Sequence, residues 1–155
     1  MKRILFVCLG NICRSPLAEA IFNQLLQEKG LEHTISCDSA GTGNWHVGEA
    51  PDPRTQEVAH RYQVPLSHRG RQFSSDDFTT YDYIIAMDRK NRAAIQSVTP
   101  LSESASYQLL LLREFDEPAG ELDVPDPYWG GEQGFDDMYH QLHRCCVNLL
   151  NHIQP

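Results

Sequence analysis

Ten residues near the N-terminus, Val7-Cys8-Leu9-Gly10-Asn11-Ile12-Cys13-Arg14-Ser15-Pro16, constrain the fold more than any other stretch. The apolar run from Ile4 to Val7 just before them is too short for a helix and rich in strand formers, as in a buried strand. Ser15-Pro16 then opens a helical pattern, Ser being a favoured N-cap and Pro losing nothing at the first helical position. A strand, a short loop and a helix in that order make a site for an anion, because loop N–H groups and the positive end of the helix dipole converge there. Five residues separate Cys8 from Arg14, which puts a nucleophilic thiol beneath the anion and a planar bidentate donor beside it. The stretch is a phosphate-binding loop with its own nucleophile.

The rest of the composition narrows the partners. A length of 155 residues suits one domain spanning 1–155, with enough chain to bury a core. A net charge of −8 with no basic tract argues against nucleic-acid binding, so any anion site is local. No apolar run is long enough to span a bilayer, and Asn11 and Arg14 interrupt the first one too early for a signal peptide. Five cysteines without even spacing are not a disulfide framework, which points to a reducing cytoplasm. The expected state is a monomer or weak homodimer.

Strand and helix patterns alternate along the chain. The first strand is expected over residues 3–8 and the first helix from Pro16 to about Lys29, with Gly30 as its C-terminal glycine. His33 to Ser39 forms a weaker strand, followed by a loop with three glycines and Trp45. Asp52-Pro53 starts a helix over about 53–62. Tyr83 to Met87 is a buried strand, and Asp88 caps the helix after it. Leu109 to Leu112 suits a strand by length and charged boundary, although periodicity alone also admits a helical turn. A Pro/Asp/Gly-rich loop from Glu117 to Gly134 precedes a last helix at about 135–152. The expected fold is α/β, a single-domain sandwich with a parallel sheet and helices on both faces, and ligands at the carboxyl ends of the strands.

The segment from Val7 to Pro16 resembles the signature of the low-molecular-weight protein tyrosine phosphatases. The match includes Asn11, Cys13 and Ser15-Pro16 as well as Cys8 and Arg14, and the likeness extends over nearly the whole chain. It implies a four-stranded sheet and a two-step phosphoryl transfer through a phosphocysteine on Cys8, without metal or other cofactor. It also implies that Arg14 grips the phosphoryl oxygens and that Leu9, Gly10, Asn11, Ile12, Cys13 and Ser15 form the loop and its support. Ser15 would hydrogen-bond the sulfur, and Asn11 would hold the loop in shape. Ser39, His68 and Asp88 fall at positions of the family's supporting shell, Asp88 being equally a helix cap on local grounds.

Displacing an alcohol from phosphorus requires a proton for the leaving oxygen, so a carboxylic acid on a nearby loop is needed. Asp126-Pro127-Tyr128 resembles the family's general-acid motif, with Asp126 as the acid and Asp123 as the weaker candidate. Trp45 and Tyr128 match the family's aromatic slot walls, which select aryl phosphates and so phosphotyrosine-containing proteins as substrates. Trp129 departs from the second tyrosine of the best-known animal members and adds a third candidate wall. The family's second loop cysteine, here Cys13, is thought to capture an oxidised Cys8 as a reversible disulfide.

Two rival functions share this loop. Arsenate reductases of the same fold need two further downstream cysteines, and none lies between Cys37 and Cys145. A phosphate-binding module without turnover would have lost Cys8 or Asp126, and both are present. His140 and His143 beside Cys145 lack a second ligand pair for a metal, and Cys37, Cys145 and Cys146 are expected to be core thiols.

Overall fold

A computed structural model describes residues 1–100, 106–116 and 120–154. Strands β1 (Lys2–Cys8), β2 (Ile35–Gly41), β3 (Tyr83–Ala86) and β4 (Gln108–Leu111) form one parallel sheet in the order β2-β1-β3-β4. Parallel neighbours require crossovers. Helix α1 (Arg14–Glu28) joins β1 to β2, α2 (Pro53–Arg61) and α3 (Asp77–Thr80) lie between β2 and β3, and α4 (Arg89–Gln96) joins β3 to β4. Helix α5 (Glu132–Ile153) closes the chain against α1. This is the α/β sandwich with a parallel sheet that the alternation of patterns implied, with the four strands that the family resemblance implied.

Side chains of β1 alternate between two cores, as the pleat requires. Ile4, Phe6 and Cys8 pack with α1, α2 and α5, whereas Leu5 and Val7 pack with Phe73, Phe78 and Ile95 on the other face. Because β1 is central and buried from Ile4 onward, its carboxyl end is fixed where Cys8 emerges. Asp52 and Asp88 cap α2 and α4 as expected, accepting from the N–H groups of Arg54 at 2.8 Å and Asn91 at 2.7 Å. Gly30 adopts φ +67° beyond α1, and the Leu31 N–H reaches back to the Leu26 carbonyl at 2.8 Å.

Several boundaries differ from the sequence expectation, each for a physical reason. Helix α1 starts at Arg14 and not at Pro16, and Ser15 is no N-cap; its hydroxyl is turned toward Cys8 instead. Strand β2 begins at Ile35 and continues past Ser39 to Gly41, because its ladder with β1 runs to the Cys8–Gly41 pair. Leu112 leaves the sheet and opens a 3₁₀ turn, Leu112–Phe115, anchored by Glu114 Oε2 on the Leu111 N–H at 3.2 Å. Helix α5 starts a turn earlier than expected, at Glu132. Helix α3 was not anticipated, since four residues carry no periodic signal. Residues 117–119 of the acidic loop lie outside the described residues. Among the described residues no helix is long and apolar enough to cross a membrane.

Phe22 of α1 is wholly buried and meets Phe6 edge-on at 5.6 Å between ring centres. Phe22→Ala is expected to cost about 3–5 kcal/mol, measured as a lower urea midpoint at unchanged slope. A loss under about 1 kcal/mol would mean that the α1–β1 core does not fix this end of the sheet.

Candidate active site

Asn11 shapes the loop between β1 and α1. Its backbone adopts φ +57°, a left-handed conformation that asparagine tolerates better than most residues. Its buried carboxamide makes four hydrogen bonds. Nδ2 donates to Ser15 Oγ at 2.7 Å and Ser39 Oγ at 3.0 Å; Oδ1 accepts from the Arg71 N–H at 3.0 Å and faces His68 Nε2 at 2.7 Å. Since Ser15 Oγ accepts from Asn11, its own proton is left for Cys8 Sγ, 3.0 Å away; the competing Ala40 carbonyl is farther, at 3.5 Å. The Asn11 N–H also points at Sγ, at 3.3 Å. Two donors therefore face the sulfur, the arrangement that a thiolate accepts.

His68 carries this support into the sheet's flank. Oδ1 of Asn11 is an acceptor, so Nε2 of His68 donates to it; Nδ1 lies 3.0 Å from Glu19 Oε1 and 3.7 Å from Asp38 Oδ1. The ring faces acceptors on both sides. Glu19, Asp38 and His68 are close enough together to suggest a metal, but both ring nitrogens are already engaged. Gly41 completes the brace: a Cβ there would stand 2.8 Å from the Leu9 carbonyl, so only glycine lets β2 approach the loop this closely.

Arg14, buried at the start of α1, is the cation of the site. Its NH1 donates to Asp88 Oδ2 at 2.7 Å and to the Val124 carbonyl at 2.9 Å, and its NH2 lies 3.5 Å from Asp126 Oδ2. Burial by itself would lower its pKa, but Cys8, Asp88 and Asp126 outweigh that and hold it above the ordinary guanidinium value. Asp126 caps the short turn Pro127–Trp129 through Oδ1 on the Tyr128 N–H at 3.0 Å, leaving Oδ2 toward Arg14. Asp123 is engaged elsewhere. It pairs with Arg89, whose hydrogen bonds hold its carboxyl below the usual range, and it does not line the cavity.

Cys8, Leu9, Gly10, Ile12, Cys13, Arg14, Trp45, Asp126, Tyr128 and Trp129 line one cavity of about 250 Å³. Asn11 and Ser15 stand behind its wall. Trp45 owes its position to Gly43, where a Cβ would overlap the indole at 2.0 Å. The aromatic walls are a rim more than a shaft, for Trp45 is 68% exposed and Trp129 89%. Trp129 meets Tyr128 edge-on at 4.9 Å. His46 also lines the cavity, its Nδ1 2.5 Å from Glu49 Oε2, and was not anticipated. Its place beside Trp45 in a glycine-rich loop was the available signal. Arg54 and Arg71 were also missed, having no local motif.

The remaining thiols are dispersed. Cys145 and Cys146 are buried in the core, and Cys37 packs partly against it; neither they nor His140 and His143 line the cavity. Burial, more than neighbouring charge, pushes Cys13 up to about 12.

Asn11→Ala removes four hydrogen bonds and strands buried partners in a backbone conformation that alanine resists. The expected cost is about 2–4 kcal/mol in urea unfolding, accompanied by weaker binding of inorganic phosphate in calorimetry. Unchanged phosphate affinity would show that the loop keeps its shape without Asn11.

A family model described as low molecular weight phosphotyrosine protein phosphatase matches residues 3–155. The Schizosaccharomyces pombe protein named low molecular weight phosphotyrosine protein phosphatase is 45% identical over 152 residues, covering 97% of this chain and 96% of its own. A protein tyrosine phosphatase structure from Entamoeba histolytica superposes with a TM-score of 0.93 at 36% identity, covering 99% of this chain and 97% of that one. A drosophila arginine phosphatase structure does so with a TM-score of 0.91 at 35% identity, covering 100% and 99%. Likeness at these levels runs nearly from end to end in both sequence and fold, and the chain belongs to the low molecular weight phosphotyrosine protein phosphatase family.

Proposed function

We propose that this chain hydrolyses phosphotyrosine in protein substrates, and aryl phosphate monoesters generally, through a phosphocysteine on Cys8. The observation that carries this reading is a sulfur with two donors at 3.0 and 3.3 Å, in one cavity with a buried arginine, a carboxylate and an apolar rim. The Cys8 thiolate attacks phosphorus as the P–O bond to the aryl group breaks, and Asp126 delivers its proton to the departing oxygen. Arg14 spans two equatorial oxygens while their charge redistributes. Asp126, now a carboxylate, takes a proton from water as the water oxygen bonds to phosphorus and the P–S bond breaks, releasing inorganic phosphate and the Cys8 thiolate. The enzyme works as a monomer or weak homodimer in the reducing cytoplasm, where its five free cysteines suit it.

One structural neighbour is an arginine phosphatase, so an N-phosphoryl guanidinium is the competing substrate. The rim here favours the aryl group: Leu9, Ile12, Trp45, Tyr128 and Trp129 offer it apolar and aromatic faces, whereas a guanidinium needs acceptors.

Cys8→Ser should still bind phosphate and lose turnover, and Arg14→Lys should be severely impaired because a point charge cannot reproduce the planar fork. Asp126→Asn should lower kcat/KM on phosphotyrosine by roughly 100- to 10,000-fold and on p-nitrophenyl phosphate far less. Equal losses on the two substrates would remove Asp126 from the acid role. Faster turnover of phosphoarginine than of phosphotyrosine would overturn the substrate assignment.

Cys13 gives the same site a redox response. Peroxide converts the Cys8 thiolate to a sulfenic acid; Cys13 displaces its oxygen as water, forming a Cys8–Cys13 disulfide that a dithiol reduces. With its pKa pushed to about 12, Cys13 is a slow captor whose thiolate fraction grows about tenfold per pH unit across the neutral range. Wild-type activity lost to peroxide should return with dithiothreitol, while Cys13→Ser should lose it permanently. Full recovery of Cys13→Ser would leave Cys13 as a packing residue.

A further inference from the structure

The loop that carries Asp126 is held at both ends by arginines, and the two ends are held differently. Upstream, Arg89 grips Asp123 at 3.0–3.2 Å, Arg113 takes the Asp123 carbonyl at 2.8 Å, and Val124 is bonded to Met87 and Arg14. Downstream, the anchor is Arg54. Its NH2 donates to the Tyr128 carbonyl at 3.0 Å and its NH1 to the Gly130 carbonyl at 3.4 Å. Its guanidinium carbon lies 5.4 Å from the Tyr128 ring centre and 4.6 Å from that of Phe135. Among the described residues, no other side chain from outside the loop is seen to hydrogen-bond to residues 127–130.

Arg54 is itself fixed from the phosphate loop. Asp52 accepts from its Nε at 3.1 Å and its NH2 at 3.0 Å, and the Asp52 N–H donates to the Ile12 carbonyl at 2.9 Å. A continuous series of bonds therefore runs from Ile12 through Asp52 and Arg54 to Tyr128. Tyr128 then orients the acid, since its N–H caps Asp126 Oδ1 at 3.0 Å. The direct contact between Arg14 and Asp126, at 3.5 Å, is too long to fix that carboxylate alone.

We propose that Arg54 is a positioning residue for the general acid, setting Asp126 against the phosphate loop by clamping the Tyr128–Gly130 turn. The proposal rests on the reading of Asp126 as the acid. Arg54 touches neither phosphate nor leaving group; it acts through the peptide units on which Asp126 is capped. A planar fork suits the task, because one guanidinium reaches a carboxylate and two carbonyls at once, which a lysine cannot do.

The test compares kcat/KM for a phosphotyrosine peptide and for p-nitrophenyl phosphate in the wild type, Arg54→Met, Arg54→Lys, Asp126→Asn and Arg54→Met/Asp126→Asn, with thermal midpoints for each. Arg54→Met keeps an apolar stem against Phe135 and removes the bonds. It should lower kcat/KM on the peptide by about tenfold or more, a fraction of full general-acid assistance, and on p-nitrophenyl phosphate by under about threefold. Arg54→Lys should recover part of the peptide activity. In the Asp126→Asn background Arg54→Met should add almost nothing, since the acid it positions is gone. Equal losses on both substrates, or an undiminished loss in the Asp126→Asn background, would reduce Arg54 to a stabilising clamp and leave Asp126 as the acid. If Asp126→Asn itself shows no dependence on leaving group, the acid assignment and this proposal fall together.

Discussion

The side chain of Asn11 is the contact on which the site depends. A loop that wraps an anion must turn its amides inward, which costs the backbone a left-handed residue and leaves polar groups to be satisfied out of water. Asn11 meets both requirements at once. Its φ of +57° makes the turn, and its carboxamide binds Ser15 in α1, Ser39 in β2, the Arg71 backbone and the His68 ring. The start of α1, strand β2 and the 68–71 stretch thus converge on one amide. Arg71 spans Asp38 and Asp77, which explains why a short helix at Asp77–Thr80 exists where no periodic pattern asks for one.

This dependence explains what could be recognised from the sequence and what could not. Cys8 and Arg14 were legible because a strand, a short loop and a helix fix their separation locally. Asp52 and Asp88 were legible for the same reason, being caps whose partners lie two or three residues away. Arg71 and Arg54 were not: Arg71 reaches Asn11 across 60 positions through its own backbone N–H, and Arg54 binds a carbonyl 74 positions away, and backbone atoms bear no side-chain signature. Ser15 was assigned the wrong local task. A serine before a proline is a good N-cap in isolation, yet here its hydroxyl is more useful between Asn11 and the sulfur, and the helix begins without a side-chain cap. The exchange is intelligible: the amides that a cap would satisfy are those the anion needs.

The chain is acidic overall, yet the site gathers its donors around one point. A net charge of −8 is spread over the chain, whereas the cavity is served by one buried arginine and by oriented amide and hydroxyl donors. Fixed dipoles aimed at one point count for more than mobile surface charges screened over about 10 Å. The apolar rim acts in the same direction. It lowers the local dielectric around Arg14 and supplies flat faces for an aryl group, so binding and electrostatics draw on the same side chains.

Arg14 also resolves a conflict between its two carboxylate neighbours. In the proposed mechanism Arg14 grips a phosphoryl group and must be held still, whereas Asp126 beside it must remain able to give up and regain a proton. Asp88 and Asp126 divide these tasks by distance and exposure. Asp88 is tied at both oxygens, one to the α4 N–H and one to NH1 of Arg14 at 2.7 Å, so it serves as a fixed counter-ion. Asp126 stands 3.5 Å from NH2, its side chain about a third exposed, on a turn that reaches the cavity. The short bond takes up the holding of Arg14, which leaves the longer contact free for exchange with a leaving oxygen or a water. Had the two distances been reversed, Asp126 would be locked in an ion pair and Arg14 would keep only the Val124 carbonyl as a short partner; the different reach of Asp88, at the start of α4, and of the 127–129 turn is therefore part of the proposed chemistry.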